Sequence, residues 1–174
     1  MNQKIDKADA PVASVNNALK IAEETQKDLY LTFRLDNEDF GMEIFHVIEI
    51  VGIQKITQVP DMPRFIKGVI NLRGSVIPVM DARLRFGMPE RAYDDRTCLI
   101  VVSVNEIITA LVVDRVNEVS EIPNNQIEPP PRTGHNTTNI RGMGKAGGTV
   151  VILLDMEHLI TAGDCEEKKL EILA

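Results

Sequence analysis

The chain of 174 residues has room for one ordinary domain or two small ones. Its formal net charge of -7 argues against a phosphate-backbone binder and against a surface drawn to anionic lipid. Hydrophobic residues make up 44%, aromatics only 4%, and Trp is absent, so the core must be built from Val, Ile and Leu, which suits strands.

Residues 1–27 read as a flexible segment, polar and mixed in charge, with a short helix expected near Ala18 to Thr25. That segment lacks the apolar core of a signal peptide, and no apolar run is long enough to span a membrane. A soluble, cytoplasmic chain is expected, with Cys98 and Cys165 as free thiols. From Leu29 the pattern alternates. Leu29, Leu31, Phe33 and Leu35 share one side and Thr32 and Arg34 the other, the mark of a half-buried strand. After the Asn37-Glu38 turn, Asp39 to Ile44 returns as a second strand. Val47 to Val51 fits either a helical turn or a further strand. Asp61-Met62-Pro63 looks like a helix entry, with Asp61 as the cap. Phe65 to Leu72 and Ser75 to Met80 are strands around Arg73-Gly74, where Gly74 supplies the positive φ of a tight hairpin. Asp81 then caps a short helix, Ala82 to Phe86, ended by Gly87.

The plan recurs in the second half. Leu99 to Val104 and Ile107 to Val113 are strands around Asn105-Glu106. Gln126 to Thr138, with Pro129-Pro130-Pro131, is a polar loop expected to be exposed and mobile. Ile140 to Lys145 and Thr149 to Leu154 form a closing hairpin, followed by a short helix, Met156 to Ile160, and a marginal tail beyond Gly163.

The two halves are copies. Gly68 and Gly142 stand 74 residues apart, as do Gly74 and Gly148, and Asp81 and Asp155. Val47-Ile48-Glu49-Ile50 returns as Val116-Asn117-Glu118-Val119, 69 residues on, so one small insertion separates the matched blocks. A unit this long is a small β domain duplicated within one chain, with about five strands per half, the size of a small closed barrel. The expected organisation is a first barrel over 28–93, a second over 94–162 and a C-terminal tail over 163–174. Two such domains side by side create a groove where partners bind.

No catalytic constellation is present. His46, His135 and His158 have neither Cys nor His at ligand spacing, Ser75 lacks a Gly-x-Ser-x-Gly elbow, and the glycines of 142–148 lack a P-loop ending. A nucleic-acid-binding barrel would need a basic, aromatic face. No catalytic, cofactor or metal site is therefore expected.

The duplication acts as an internal control. Positions that match are explained by turn, packing and capping; positions that differ are free of that demand. Arg73 stands opposite Gly147, so the hairpin can close without an arginine, and the choice is between a solvated turn residue and an interface residue. Asn71, opposite Lys145, poses the same question. Val47 with Val116, and Glu49 with Glu118, fit both a structural role and similar surfaces presented to a shared groove.

The run Phe65-Ile66-Lys67-Gly68-Val69-Ile70-Asn71-Leu72-Arg73-Gly74, continued by Val76-Ile77-Pro78-Val79-Met80-Asp81 and Arg83-Leu84-Arg85-Phe86-Gly87, closely resembles the signature of the CheW family of bacterial chemotaxis coupling proteins. Phe40-Gly41-Met42-Glu43-Ile44 and Val47-Ile48-Glu49-Ile50 are also similar, and the likeness runs from about Asp28 to about Ala162. Ala110 departs from it, where the family often has Gly. The resemblance implies an all-β chain of two SH3-like five-stranded barrels. It also implies a non-enzymatic adaptor that links methyl-accepting chemoreceptors to the histidine kinase CheA and is recruited through its partners to membrane receptor arrays. The receptor's cytoplasmic tip would lie in the groove between the barrels, and the kinase's regulatory domain would join barrel to barrel. Val47, Glu49 and Arg73 match receptor-contact positions of that family, and Gly68 and Val116 match positions sensitive to change, Gly68 through folding if Gly142 is a guide. Kinase contacts are expected on exposed apolar surface of the first barrel. The alternative is a regulatory-type module of the same fold that binds other partners.

Overall fold

The computed structural model describes residues 12–17, 28–132 and 138–161. A short helix, α1, covers residues 12–17. The strands that follow are β1 (Leu29–Leu35), β2 (Glu38–Glu43), β3 (Val47–Gly52), β4 (Ile66–Leu72) and β5 (Ser75–Asp81), then helix α2 (Ala82–Arg85). After them come β6 (Cys98–Val104), β7 (Ile107–Val113), β8 (Arg115–Glu121), β9 (Ile140–Ala146), β10 (Thr149–Leu154) and helix α3 (Met156–Thr161). Single 3-10 turns sit at Ile44–His46 and Asn124–Gln126. The expected all-β architecture of two five-stranded, SH3-like units is therefore present.

Local chemistry explains the turns. Arg73 and Gly74 both have positive φ (51° and 85°), as do Gly147 and Gly148 in the matching turn between β9 and β10, and Asn105 and Glu106 in the turn between β6 and β7. Two consecutive left-handed residues give the primed hairpin turn whose twist suits the strands around it. Asp81 caps α2 by accepting from the Leu84 N–H at 3.2 Å, and Tyr93 donates its hydroxyl to the other carboxylate oxygen at 2.7 Å. Val47 to Gly52 is a strand, entered from a 3-10 turn. The helix expected after Asp61 is absent: Asp61 has φ 60°, and the segment turns so that Pro63 C=O accepts from Ile66 N–H at 2.9 Å. Asp61 in the left-handed region lacks the extended backbone that an N-cap residue adopts. The helix foreseen near Ala18 to Thr25, residues 133–137 of the polar loop, Cys165 and the tail lie outside the described residues.

The chain does not divide at residue 93. One sheet runs β3-β6-β7-β5-β4 and the other β8-β1-β2-β10-β9. The middle of the chain builds the first of these (the middle barrel), while both ends build the second (the end barrel). Under the repeat, β1, β2 and β8 to β10 are the counterparts of β6, β7, β3, β4 and β5, so each barrel takes its first hairpin from the opposite copy. Registers match as the repeat demands. Ile50 pairs with Ile100 as Val119 pairs with Leu31, and both neighbouring positions carry a bulge. The exchanged hairpin joins its host in parallel, at Val79–Ala110 in the middle barrel and Leu153–Gly41 in the end barrel. Each sheet is closed by an isolated bridge from beyond its first edge to its last strand, Thr57–Val69 and Glu128–Met143.

Three apolar clusters follow from this. The largest lies between the barrels and takes Leu31, Phe33 and Leu35 from β1, Ile100, Val102 and Val104 from β6, and Leu159 and Ile160 from α3. The middle barrel encloses Ile70, Ile77, Val79, Leu99, Val101, Ala110 and Val112. The end barrel encloses Tyr30, Ile122, Val151 and Leu153, with Ile127 and Ala146 packed against them. Thr32, assigned to a solvent face by alternation, is 4% exposed because that face lines the end barrel.

Candidate functional site

The exposed tip of β4–β5 lies beside edge strand β3. Arg73 donates from Nη1 to Glu49 Oε1 at 2.7 Å and from Nη2 to Glu49 Oε2 at 2.8 Å. This is a two-bond fork, the geometry for which guanidinium is suited. The Arg73 side chain is 76% exposed and that of Glu49 19% exposed, so the pair presents its cation outward. Asn71 lies at the same tip, but its Oδ1 accepts from the Gly74 N–H at 3.0 Å. It holds the turn.

Val47 and Val116 occupy equivalent places on β3 and β8, opposite Val102 and Phe33. Both are half-buried and pack against the cluster between the barrels. Glu118, the counterpart of Glu49, is exposed. Gly147 replaces the arginine that would meet it, and the Glu118 carboxylate accepts from Ser120 Oγ at 3.4 Å.

Gly68 belongs elsewhere. It is buried, with φ 141°, and a Cβ there would stand 2.0 Å from Thr57 O. Thr57 and Val69 exchange two backbone bonds at 2.8 and 2.9 Å across this point, which is the bridge that closes the middle barrel. Gly142 meets Glu128 O at 2.8 Å in the same way. Gly68 is therefore held by its close approach to the Thr57 backbone, where a side chain has no room. The structure thus brings Val47, Glu49, Arg73 and Asn71 to the β3 and β4–β5 region, puts Val116 on the other barrel and leaves Gly68 beneath the surface.

Two features near the site have no signal in the sequence. Asn16 on α1 donates from Nδ2 to Ile50 C=O and accepts at Oδ1 from Ile50 N–H, both at 3.3 Å, so one side-chain amide does for β3 what a neighbouring strand would do. Val15 beside it is buried in the central cluster. The second feature is Asp114, between β7 and β8. It accepts from Arg83 Nε at 2.7 Å, Arg83 Nη2 at 2.6 Å and Asp36 N–H at 2.7 Å. Arg83 follows the middle barrel's β5, and Asp36 lies in the end barrel's first turn, so Asp114 ties the barrels together. Burial works to raise the Asp114 carboxyl, but Arg83, the Asp36 N–H and Arg91 together outweigh it and hold it below the usual carboxylate value.

A CheW-like domain model matches residues 29–164. The chain belongs to the CheW family. The chemotaxis protein CheW of Klebsiella aerogenes is 35% identical over 153 residues, covering 87% of this chain and 92% of that protein. The chemotaxis protein CheW of Helicobacter pylori is 32% identical, covering 75% and 80%. The crystal structure of the scaffolding protein TtCheW from Thermoanaerobacter tengcongensis superposes with a TM-score of 0.72 at 36% identity, covering 77% of this chain and 92% of that one. Membership makes this chain a chemotaxis scaffold or adaptor and not an enzyme. Among the described residues, no helix is long and apolar enough to cross a membrane.

Proposed function

We propose that this CheW-family chain works in the cytoplasm as the coupling adaptor between methyl-accepting chemoreceptors and the histidine kinase CheA, and joins membrane arrays through those partners. The observation that carries the reading is the Glu49–Arg73 fork. Arg73 adopts a left-handed backbone that glycine takes without strain, and the copied hairpin uses Gly147 there. The fold does not ask for an arginine at this tip, whereas a receptor's helical hairpin lying along the seam would find a cation held in place by Glu49. Val47 and Val116 supply apolar surface at the same seam.

An apolar surface on the middle barrel suits the kinase. Val76 is 70% exposed, and Ile107 and Ile108 are each 44% exposed. Val76 and Ile107 each lie three residues back along their strands from the Val79–Ala110 pair. The counterparts of Ile107 and Ile108 in the end barrel are Glu38 and Asp39, so the fold does not require apolar residues there. Contacts of modest strength suffice when an array repeats them.

Pull-down of purified CheA and of a receptor signalling fragment, each separately, tests the proposal. The parent protein is expected to retain both. Arg73→Glu should lose the receptor and keep the kinase, and Ile108→Glu should do the reverse. Failure of the parent to retain either partner would sink the reading.

A further inference from the structure

The two barrels are filled differently, and the repeat shows where. The middle barrel packs Val51, Leu72 and Val101 against its apolar interior. Their counterparts in the end barrel are Ser120, Ala146 and Thr32, all smaller, more polar or both. The result is a hollow of about 220 Å³ at one end of that barrel, lined by Thr32, Arg34, Asp39, Arg115, Asn117 and Thr149 among others. Arg34 faces two partners across its strand, Asp39 on β2 and Arg115 on β8. Like charges directly opposite one another oppose pairing. Only one of the two arginines is matched. Arg34 donates from Nε and Nη2 to Asp39 at 2.9 and 3.1 Å, and Asn117 adds a bond to the same carboxylate at 3.0 Å. Arg115 has no carboxylate at ion-pair distance among the described residues, and its Nε is buried with no partner. A buried donor left unmatched is costly, and a charged one more so. Glu118 also lines the hollow, but it makes no ion pair with Arg115, and its carboxylate accepts from Ser120 Oγ at 3.4 Å.

We propose that this hollow is an oxyanion seat in which Arg115, backed by Arg34, holds a carboxylate or phosphoryl group through charge-assisted hydrogen bonds, with the Thr32, Asn117 and Thr149 side chains around it. The seat lies on the barrel opposite the Glu49–Arg73 tip, so it is a second point of attachment, independent of the adaptor reading.

The test is titration of the full chain with sodium acetate and, separately, with inorganic phosphate at constant ionic strength, followed by NMR. The signals to follow are the Thr32, Asn117 and Thr149 amides and the Arg115 Nε–H. Saturable shifts are expected, with apparent affinity at least about tenfold weaker in Arg115→Met. Saturation by acetate assigns the seat to a carboxylate, and saturation by phosphate alone assigns it to a phosphoryl group; either supports the proposal. Strictly linear shifts with both anions overturn it, as does saturation that Arg115→Met leaves unchanged. Should that variant not fold, the Arg115 Nε–H signal of the parent decides. Saturable movement supports the seat, and a flat response means water satisfies the nitrogen and the proposal falls.

Discussion

Gly68 and Arg73 are near neighbours in the chain, yet they answer to different demands. At Gly68 the partner is backbone, which cannot give way, and the φ is one that side chains rarely adopt. Gly68→Ala is expected to cost about 3 kcal/mol or more, read as a drop in the denaturant midpoint. Arg73 is the opposite case. Its left-handed backbone costs about 1 kcal/mol that glycine avoids, while an exposed ion pair returns less than about 1 kcal/mol. Arg73→Gly should therefore melt no more than a few degrees from the parent while losing receptor binding in the pull-down. Comparison of the two copies makes it legible in sequence that the fold does not require an arginine at position 73, because Gly147 shows what the fold alone accepts. The role of Asn71 as a turn acceptor was not legible, since the same residue type serves both turns and interfaces.

At the scale of elements, β3 carries both Val47 and Glu49 and is an edge strand whose outward groups need partners. Asn16 supplies one pair of bonds to Ile50. Asn16→Ala removes both and should speed hydrogen exchange at the Ile50 amide by about fivefold or more, with β6 and β7 amides unchanged; equal exchange in the two proteins would remove α1 from any part in holding β3. Most strand positions were legible, from alternation and from Gly74, Asn105 and Gly148 at the turns, but β3 fitted a helical turn as well as a strand, and its counterpart β8 shared that ambiguity. The helix expected at Asp61-Met62-Pro63 was not formed, because capping chemistry and turn chemistry use the same residues and tertiary pairing of Thr57 with Val69 decides between them.

At the scale of the whole molecule, the barrels share their largest apolar cluster and are tied at Asp114. The Asp114 carboxyl is held below its ordinary value of 3.8 in the folded chain, so its contribution is complete above that pH and is lost as pH falls through the lowered value. Asp39, held down chiefly by the hydrogen bond from Arg34, acts in the same direction. Stability should fall with acid below about pH 4, and Asp114→Asn should flatten that slope in pH-dependent melts. Asp114→Ala leaves Arg83, at 10% side-chain exposure, with the longer contacts to Asp36 at 3.6 Å and the Pro89 C=O at 3.4 Å, and should cost about 2 kcal/mol at neutral pH.

Periodicity, turn residues and the duplicated blocks determined most of the strands and the duplicated β domain, and the run from Phe65 to Gly87 carried the resemblance to the CheW family. They could not determine which hairpin completes which barrel. The first hairpin of either copy has the same register and the same apolar face, so local sequence supports both pairings equally. The choice is made by tertiary contacts, where a hairpin from one copy enters the other in parallel and both back onto a single shared core. The same is true of the pairs Arg83–Asp114 and Arg34–Arg115. Their members lie far apart in the chain, and only the crossed barrels bring them within a few ångströms, where charge and hydrogen bonding act.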